Sequence, residues 1–592
     1  MCGIVGKLHW QPILENNPVY KMSERLIHRG PDEMGSLILE NISLGFRRLS
    51  ILDLSKKANQ PMSTSDNRFH IVFNGEIYNF KELRKDLQNK NYKFQSASDT
   101  EVVLYSYAEW GTKCLKYFNG MFALAVWDAK CKKLFLARDR FGKKPIYYHI
   151  NNRKEFIFAS ELSALTADET IPKNISLEAL NCYLSIGYIL SPMTLYKDVY
   201  KLESGTYLLV SDNGNKVDKT KYWNYADSFR NKTKESESDI AEHLSHLLEC
   251  SVKRRLVSDV PVGAFLSGGI DSTSIVSIMK KHYSGDLHTF SVGFNEESYN
   301  ENSDAENASK WINTIHHSYL CDLSDGLDSI NAAIDSFDEP FADTSLIPTF
   351  EVSKLASQFV KVVLSGDGAD ELFAGYHTYK ADKYYSFFRY FPNVIKIALD
   401  RLGQSFSNNQ EKLNWGYKLQ QFFYGSMFNK EEAHCLWRNY FKPNERVRIL
   451  GEENRDLVYD TDPIHIFNKY YNDVNDLCLL EKNLYVDCMT WLTDDILVKV
   501  DRASMRHGLE VRCPYLDVEL ASYAASIPAE LKMKGMETKH ILKKALKGVL
   551  PDFVISKKKS GFNAPVGVAI QMNGMDEFRA FNKYVFDKKI AE

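Results

Sequence analysis

A cysteine stands directly after the initiator of this chain, so removing Met1 leaves Cys2 with a free α-amine beside its thiol. That amine titrates near ~7.7–8, so part of it is a neutral base at neutral pH. An amine serving as base for an adjacent nucleophile is a known activation device. A second cluster is Ser267-Gly268-Gly269-Ile270-Asp271-Ser272, between an apolar segment and one with helical apolar spacing. Glycines there let successive backbone N–H groups face an anion at a helix N-terminus. The GxxxxGK[ST] spacing of an ordinary phosphate loop is absent. A third cluster, LSGDGADE, follows another apolar run and sets Asp367, Asp370 and Glu371 around two glycines. By itself it reads as a capped turn. Beside a pyrophosphate loop, its hard oxygen donors, with that of Asp271, suit Mg²⁺ or acid/base work.

Further words surround Cys2: CGIVG at 2–6, HRGPD at 28–32, RRLSILDL at 47–54, FNGEIYN at 73–79 and SDTE at 98–101. Together, and on through MFALAVWD, RDRFGKKPIYY and FASEL to about residue 210, they resemble the glutaminase domain of class II amidotransferases. The resemblance implies that the Cys2 thiolate attacks the glutamine side-chain amide, giving a glutamyl thioester and ammonia. Asn74 and the Gly75 N–H then supply an oxyanion hole. Arg48 takes the glutamine α-carboxylate, with Leu49, Ser50, Ile51 and Leu52 beside it. Glu76 and Asp99 take the α-ammonium. Phe46 stands where relatives commonly show His. On spacing alone, Asn74-Gly75 reads as a hairpin turn.

SGGIDS resembles the PP-loop of enzymes that adenylylate a substrate and release pyrophosphate. With DEPFADTSLIPT (338–349), LSGDGADELFAGY (364–376), DDILVKVDRASM (494–505), LEVRCPYLD (509–517) and METKHILKKAL (536–546), it resembles the synthetase domain of glutamine-hydrolysing asparagine synthetases. That family makes asparagine from aspartate, ATP and glutamine-derived ammonia through β-aspartyl-AMP, releasing AMP, PPi and glutamate. Its ammonia travels a closed passage, and its members are implied to form homodimers. Carried over, Ser267, Gly268, Gly269 and Ser272 bind pyrophosphate, and Asp271 and Asp370 bind Mg²⁺. Leu266, Val292, Ser365 and Gly366 hold the adenylate. Lys539 stabilises negative charge at the transferring centre, although a lysine at a helix start more often faces solvent. Asp367, where some relatives carry Glu, is an acid/base partner. Lys499, Asp501 and Arg502 are supporting candidates, since VKVDR also reads as a salt-bridged helix face.

The elements that must position these residues change character along the chain. Residues 2–210 read as strand-rich, with MFALAVWD and KLFLARD forming a hairpin joined by AKCK. Residues 211–239 are polar and short of aliphatic side chains, which predicts a linker. Beyond it Ile240, Leu244, Leu247, Leu248 and Val252 fall at helical spacing, with Asp239 as N-cap and Glu242 three residues later. VGAFL, HTFSVGF and VKVVLSG are short apolar strands separated by helical stretches, which predicts a parallel α/β sheet. The expected fold is an N-terminal Ntn-type αββα sandwich over 2–210. A doubly wound PP-loop ATP-pyrophosphatase domain with extra helices follows over 240–592, its aromatic-rich stretch 376–480 mostly helical.

Composition supports an enzyme of small substrates. In 592 residues, 26% are charged and 44% hydrophobic, with a net charge of −3. There is no basic footprint for nucleic acid, no run of apolar residues long enough to span a membrane, and too short an apolar N-terminus for a signal peptide. Ten scattered cysteines form no metal or disulfide pattern, so a cytoplasmic location is expected. Two features stand out against the resemblance. Cys513 lies where relatives usually show an aliphatic residue; with the aromatic stretch it leaves open another carboxylate acceptor, such as a sugar uronate. Family members also usually continue further past KKKSGFNAPVG (557–567), which predicts a shortened final helical region and puts the synthetase half at greater risk than the glutaminase.

Overall fold

The computed structural model describes residues 2–9, 17–211, 214–324, 326–392, 394–399, 415–559, 561–571 and 575–590. Alternation along the strands builds its first half. Ile4 and Leu8 of Cys2–Leu8, with Leu44 and Phe46 of Ile42–Arg48, share one face. Across from them Val72, Ala123, Ala125, Trp127, Leu134 and Leu136 line a second sheet, and the two faces enclose a common core. The first sheet runs Val199–Lys201, Tyr147–Ile150, Phe156–Ala159, Cys2–Leu8, Ile42–Arg48, Glu33–Ile38, antiparallel throughout. The second runs Lys216–Lys221, Thr206–Ser211, Lys133–Arg138, Gly120–Asp128, Phe69–Ile77, Met62–Ser63, also antiparallel. Phe80–Gln88 and Asp99–Trp110 cover the outer face of the second sheet through Leu83, Leu87 and Leu104. Pro18–Glu24 and Leu162–Leu165 cover that of the first. This is the expected αββα sandwich.

The 121–138 hairpin forms, with Asp128 opposite Lys133. Asn74-Gly75 is not a turn: both residues lie inside the continuous strand Phe69–Ile77, paired with Ala123 and Phe122. The glycine answers a different need, because a Cβ at Gly75 would sit 2.1 Å from the Met121 carbonyl oxygen of the next strand. Within 211–239, Lys216–Lys221 pairs with Thr206–Ser211 and extends the second sheet. A short helix, Ala226–Arg230, follows. Tyr225 and Phe229 are fully buried; Tyr225 stacks on Trp223 and meets Phe141 and Phe229 edge-on, so aromatic rings hold a stretch that has few aliphatic residues. The next helix, Glu237–Arg255, is capped by Ser236, whose Oγ accepts from the Asp239 N–H at 3.3 Å. Asp239 is therefore inside the helix, not its cap.

The second half is a five-stranded parallel sheet in the order Ile315–Cys321, His288–Phe294, Val262–Phe265, Val362–Leu364, Glu510–Arg512. The loops after Val262–Phe265 and Val362–Leu364 open on the cavity described below. The described part of 376–480 is helical, including His377–Phe388, Lys430–Leu436, Pro443–Leu450 and Ile464–Asp473. The last described helix, Glu577–Ile590, buries Phe581 and Val585; Ala591 and Glu592, the chain end noted above, lie outside the described residues. Among the described residues no helix is long and apolar enough to cross a membrane.

A seam of buried charge joins the halves. Arg29, fully buried, donates to Glu161 Oε1 at 2.8 Å and to both oxygens of Asp501 at 2.8 and 3.1 Å. Arg502 meets the same Glu161 oxygen at 2.6 Å, and Lys144 lies 3.5 Å from Asp501. Asp501→Ala leaves buried Arg29 with Glu161 alone, an anion it shares with Arg502, and should destabilise the protein by about 3–5 kcal/mol. Urea unfolding followed by tryptophan fluorescence checks this.

Candidate functional site

Two clefts collect most of the residues singled out in the sequence. The first lies at the end of the sandwich, where the inward-facing positions turn polar. Cys2 pairs with Arg48 across the strands, and Asn74 and Glu76 enter from the opposite sheet on the face of Val72. The Cys2 backbone nitrogen donates to Asn74 Oδ1 at 3.0 Å. Asn74 Nδ2 is buried with no hydrogen-bond partner, and Asn74 stands behind the cleft's lining rather than in it. Burial pushes the Cys2 thiol up; the N-terminal ammonium, the Leu49 backbone N–H and Arg48 act against it. Cys2, Arg48, Leu49, Ile51, Leu52, Gly75, Glu76 and Asp99 line the cleft, with Phe46. Ser50 does not; its N–H donates to Asp32 Oδ2 at 2.7 Å. Arg48 also shapes the loop after it, donating to Glu33 Oε2 at 2.8 Å and to the carbonyls of Ser55 and Asp53.

Carboxylates are in excess here. Burial raises Glu76 well above its ordinary value, and Asp99 and Glu510 add repulsion that Arg512 only partly offsets. Asp99 is pushed up to about 6, by burial first, against the Ile77 N–H that donates to it at 2.9 Å. Glu510, from the edge strand of the parallel sheet, is held at about 2: burial would raise it, but the N-terminal ammonium, Arg512 and Lys144 outweigh that. Glu510 and Arg512 were not foreseen as neighbours of Cys2. Only LEVRCPYLD hinted at them, as a motif of the other half.

The second cleft is a cavity of about 420 Å³ at the ends of the parallel strands. Leu266, Ser267, Asp271, Ser272, Val292, Ser365, Gly366, Asp367 and Asp370 line it, from three separate chain segments. Strand Val262–Phe265 delivers the loop and helix Ile270–His282 leaves it, with Gly269 as cap. Gly268 has φ +69°, and a Cβ there would lie 2.5 Å from the Asp304 carbonyl carbon, so only glycine fits. Ser267 N–H donates to Ser272 Oγ at 3.1 Å, which closes the loop on itself. Ser365 Oγ donates to Asp367 Oδ2 at 2.7 Å and lies 3.5 Å from Cys513 Sγ, which sets Cys513 directly behind the cavity wall.

Gly268, Gly269 and Lys539 stand behind the lining rather than in it. Lys539 is not the solvent-facing lysine of the commoner case. It is buried, adopts the left-handed conformation (φ 56°) as N-cap of His540–Ala545, and bridges Asp271 at 2.6 Å and Asp370 at 2.5 Å. Burial would raise Asp370, but Lys539 and Lys559 hold it well below the usual carboxylate range. Lys559, 2.6 Å from Asp370 Oδ2, went unrecognised because a lysine in a Lys-Lys-Lys-Ser-Gly run carries no signal of burial. Two carboxylates facing one cavity suit Mg²⁺, which takes one or two carboxylates and leaves the remaining positions to phosphate and water. Among the described residues no group of three or more His, Cys, Asp or Glu forms a cage of its own. Of the supporting candidates, Lys499 lines the cavity and donates to Asp343 at 2.8 Å and Ser345 at 2.6 Å, whereas Asp501 and Arg502 belong to the seam.

A family model described as a glutamine amidotransferase domain matches residues 1–223, and one described as asparagine synthase matches residues 243–581. The chain is 33% identical over 570 residues to asparagine synthetase [glutamine-hydrolyzing] 1 of Bacillus subtilis (strain 168), covering 96% of this chain and 87% of that protein. It is 36% identical over 529 residues to the putative asparagine synthetase [glutamine-hydrolyzing] 2 of Methanocaldococcus jannaschii, covering 85% and 98% respectively.

Gly75 makes the first cleft testable without touching a titrating group. Gly75→Ala forces a methyl against the Met121 carbonyl and should destabilise the protein by about 1–3 kcal/mol, read from the urea midpoint. A Gly75→Ala protein as stable as the parent contradicts the close strand approach.

Proposed function

Because the chain belongs to the glutamine-hydrolysing asparagine synthetase family, we propose that it amidates aspartate to asparagine with ATP, taking ammonia from glutamine. The observation that carries this is the gathering of the pyrophosphate loop, the Ser365–Asp370 loop and Val292 around one cavity, with a cysteine cleft across the strand Glu510–Arg512 from it.

In the first cleft the Cys2 thiol attacks the glutamine side-chain carbonyl and its proton passes to the Cys2 α-amine. The oxyanion is met by Asn74 Nδ2, the donor without a partner, and by the Gly75 N–H. The α-ammonium returns that proton to the departing nitrogen, and collapse expels ammonia and leaves a glutamyl thioester, which water cleaves to glutamate and the free thiol. Arg48, with the 49–52 segment, orients the α-carboxylate. Glu76 and Asp99 receive the α-ammonium, which relieves the carboxylate repulsion of the empty cleft.

In the second cleft an aspartate β-carboxylate oxygen attacks the α-phosphorus of ATP, pyrophosphate leaves, and β-aspartyl-AMP forms. Ser267, Gly268, Gly269 and Ser272 hold the departing pyrophosphate. Leu266, Val292, Ser365 and Gly366 hold the adenylate. Mg²⁺ on Asp271 and Asp370 would supply charge neutralisation for the phosphates. Lys539 is placed to compensate charge on the transferring phosphoryl group once a nucleotide competes with its two carboxylates. Ammonia then adds to the activated carbonyl, Asp367 takes a proton from it, and AMP leaves. Burial raises the Asp367 carboxyl, which suits a proton acceptor working near neutrality.

The test is a panel of carboxylates incubated with ATP, Mg²⁺ and glutamine, monitoring pyrophosphate and amide. Aspartate-dependent pyrophosphate with asparagine formed is expected; turnover of a uronate alone overturns the reading. Cys2→Ala should abolish glutamine-driven synthesis and leave ammonia-driven synthesis intact, whereas Lys539→Met should lower both by about 10²–10³. Asp99 adds a pH signature. Its carboxyl, raised to about 6 in the free protein, must be ionised to hold an ammonium, so protons compete with glutamine. The KM for glutamine should rise as pH falls through about 6, and Asp99→Asn should remove that dependence.

A further inference from the structure

At one end of the parallel sheet, Ile315–Cys321 pairs only with His288–Phe294 among the described residues. The Ile315 N–H donates to the Leu287 carbonyl at 2.9 Å, so the backbone groups of Ile315, His317 and Tyr319 turn inward to the sheet. By the pleat, the N–H and C=O groups of His316, Ser318 and Leu320 face outward along an open edge. Edge strands are commonly blunted by charge or proline. Lys216–Lys221, an edge of the second sandwich sheet, carries three lysines and an aspartate. The strand IHHSYLC carries no acidic or basic side chain besides its histidines, and no proline. Burial pushes the His316 and His317 imidazoles down, which leaves both neutral. Ile315, Tyr319 and Leu320 are 44, 46 and 48% exposed. Phe359, as exposed as Ile315, stacks on His317 with ring centroids 4.0 Å apart. An uncharged, apolar, open edge of this length is a site for strand addition.

We propose that the strand added here is Ile315–Cys321 of a second copy of this chain, paired antiparallel about a twofold axis through Ser318, so that two sheets become one. The strand is complementary to itself. Ser318 is the middle residue of the seven, and setting it opposite its own copy sets His316 opposite Leu320 and His317 opposite Tyr319. The outward-facing residues are then opposite one another, so each of their N–H and C=O groups meets a partner in the copy. A slip of one residue would set outward groups against inward ones. His317 and Tyr319 fall in the closer, non-hydrogen-bonded positions, and the Phe359–His317 stack continues onto the partner's Tyr319. Charge agrees with the direction. Exposed Lys310 precedes the strand and Asp322 follows it, so antiparallel copies bring unlike charges together at each end. An unrelated strand would match neither this register nor these ends. The proposal stands independently of the amidation reading.

Ser318→Pro tests this without disturbing the chain's own sheet, because the N–H it removes points away from His288–Phe294. Leu320→Lys places a charge on the edge at a side chain already exposed. Sedimentation velocity of the full chain at micromolar concentration should give twice the monomer mass for the parent and the monomer mass for each variant, with far-ultraviolet circular dichroism unchanged. Hydrogen exchange adds a readout within the strand. In the parent the amides of His316, Ser318 and Leu320 should exchange as slowly as those of His317 and Tyr319. In Leu320→Lys the His316 and Ser318 amides should speed up about 10-fold or more, while His317 and Tyr319, bonded inside the sheet, stay slow. A monomeric parent overturns the proposal. So does a dimer that both variants leave intact, which would place the contact on another face. Should Ser318→Pro fail to fold, Leu320→Lys and the exchange pattern of the parent still decide.

Discussion

Much of this molecule hangs on charges that have no water to fall back on. Arg29 is fully buried, held by Glu161 from its own half and Asp501 from the other, and its Nε donates to the Cys2 carbonyl at 3.2 Å. A guanidinium in such a place is tolerated only when every neighbour stays where it is. The end of the strand that carries Cys2 is therefore positioned by a residue nearly five hundred positions away. Lys143 repeats the pattern on a smaller scale, donating to the Leu516 carbonyl at 2.9 Å, as does the Arg255–Asp517 pair at 2.8 Å.

The strand Glu510–Arg512 extends that constraint to both clefts. It is the last strand of the parallel sheet, and the sandwich rather than solvent lies along its outer side. Arg512 reaches to 3.7 Å from Glu76 of the cysteine cleft, while its carbonyl accepts from the Ser365 N–H at 2.9 Å at the nucleotide cavity. Glu510 bears on the pKa values of Cys2, Glu76 and Asp99. Cys513, one residue on, touches Ser365. Glu510–Arg512 and the side chains flanking it are thus a wall that both clefts share.

How much of this was legible beforehand follows from what kind of information each feature uses. The sandwich and the parallel sheet were readable because alternation and strand–helix order are local patterns. The loop at 267–272 was readable because glycine is demanded by backbone geometry, as at Gly268. Asn74-Gly75 misled for the same local reason: the pair is common in turns, and only the strand alongside it, with the Met121 carbonyl, shows what the glycine is for. Ser236 lost to Asp239 as cap because both are good caps and the choice lies in where the apolar face begins to pack. Within 211–239 the scarcity of aliphatic residues hid an aromatic anchor. Lys559 was beyond reach, since its meaning lies in a partner brought to it only by the fold, and for Lys539 the resemblance alone reached past the solvent-facing reading.

The charges of the two clefts differ in kind. In the nucleotide cavity, where the proposed reading places phosphates, the carboxylates Asp271 and Asp370 are already compensated by Lys539 and Lys559. In the cysteine cleft, where it places an ammonium, Glu76 and Asp99 are left short of cations. Both of these carboxyl groups are raised, because burial without full compensation favours the proton. A proton is a poor substitute for a ligand that brings hydrogen bonds as well as charge. Of the two carboxyls, Asp99, raised only to about 6, is already largely ionised at neutral pH, so on the proposed reading an arriving ammonium meets a charged Asp99 and relieves the repulsion that, with burial, favours the proton on Glu76.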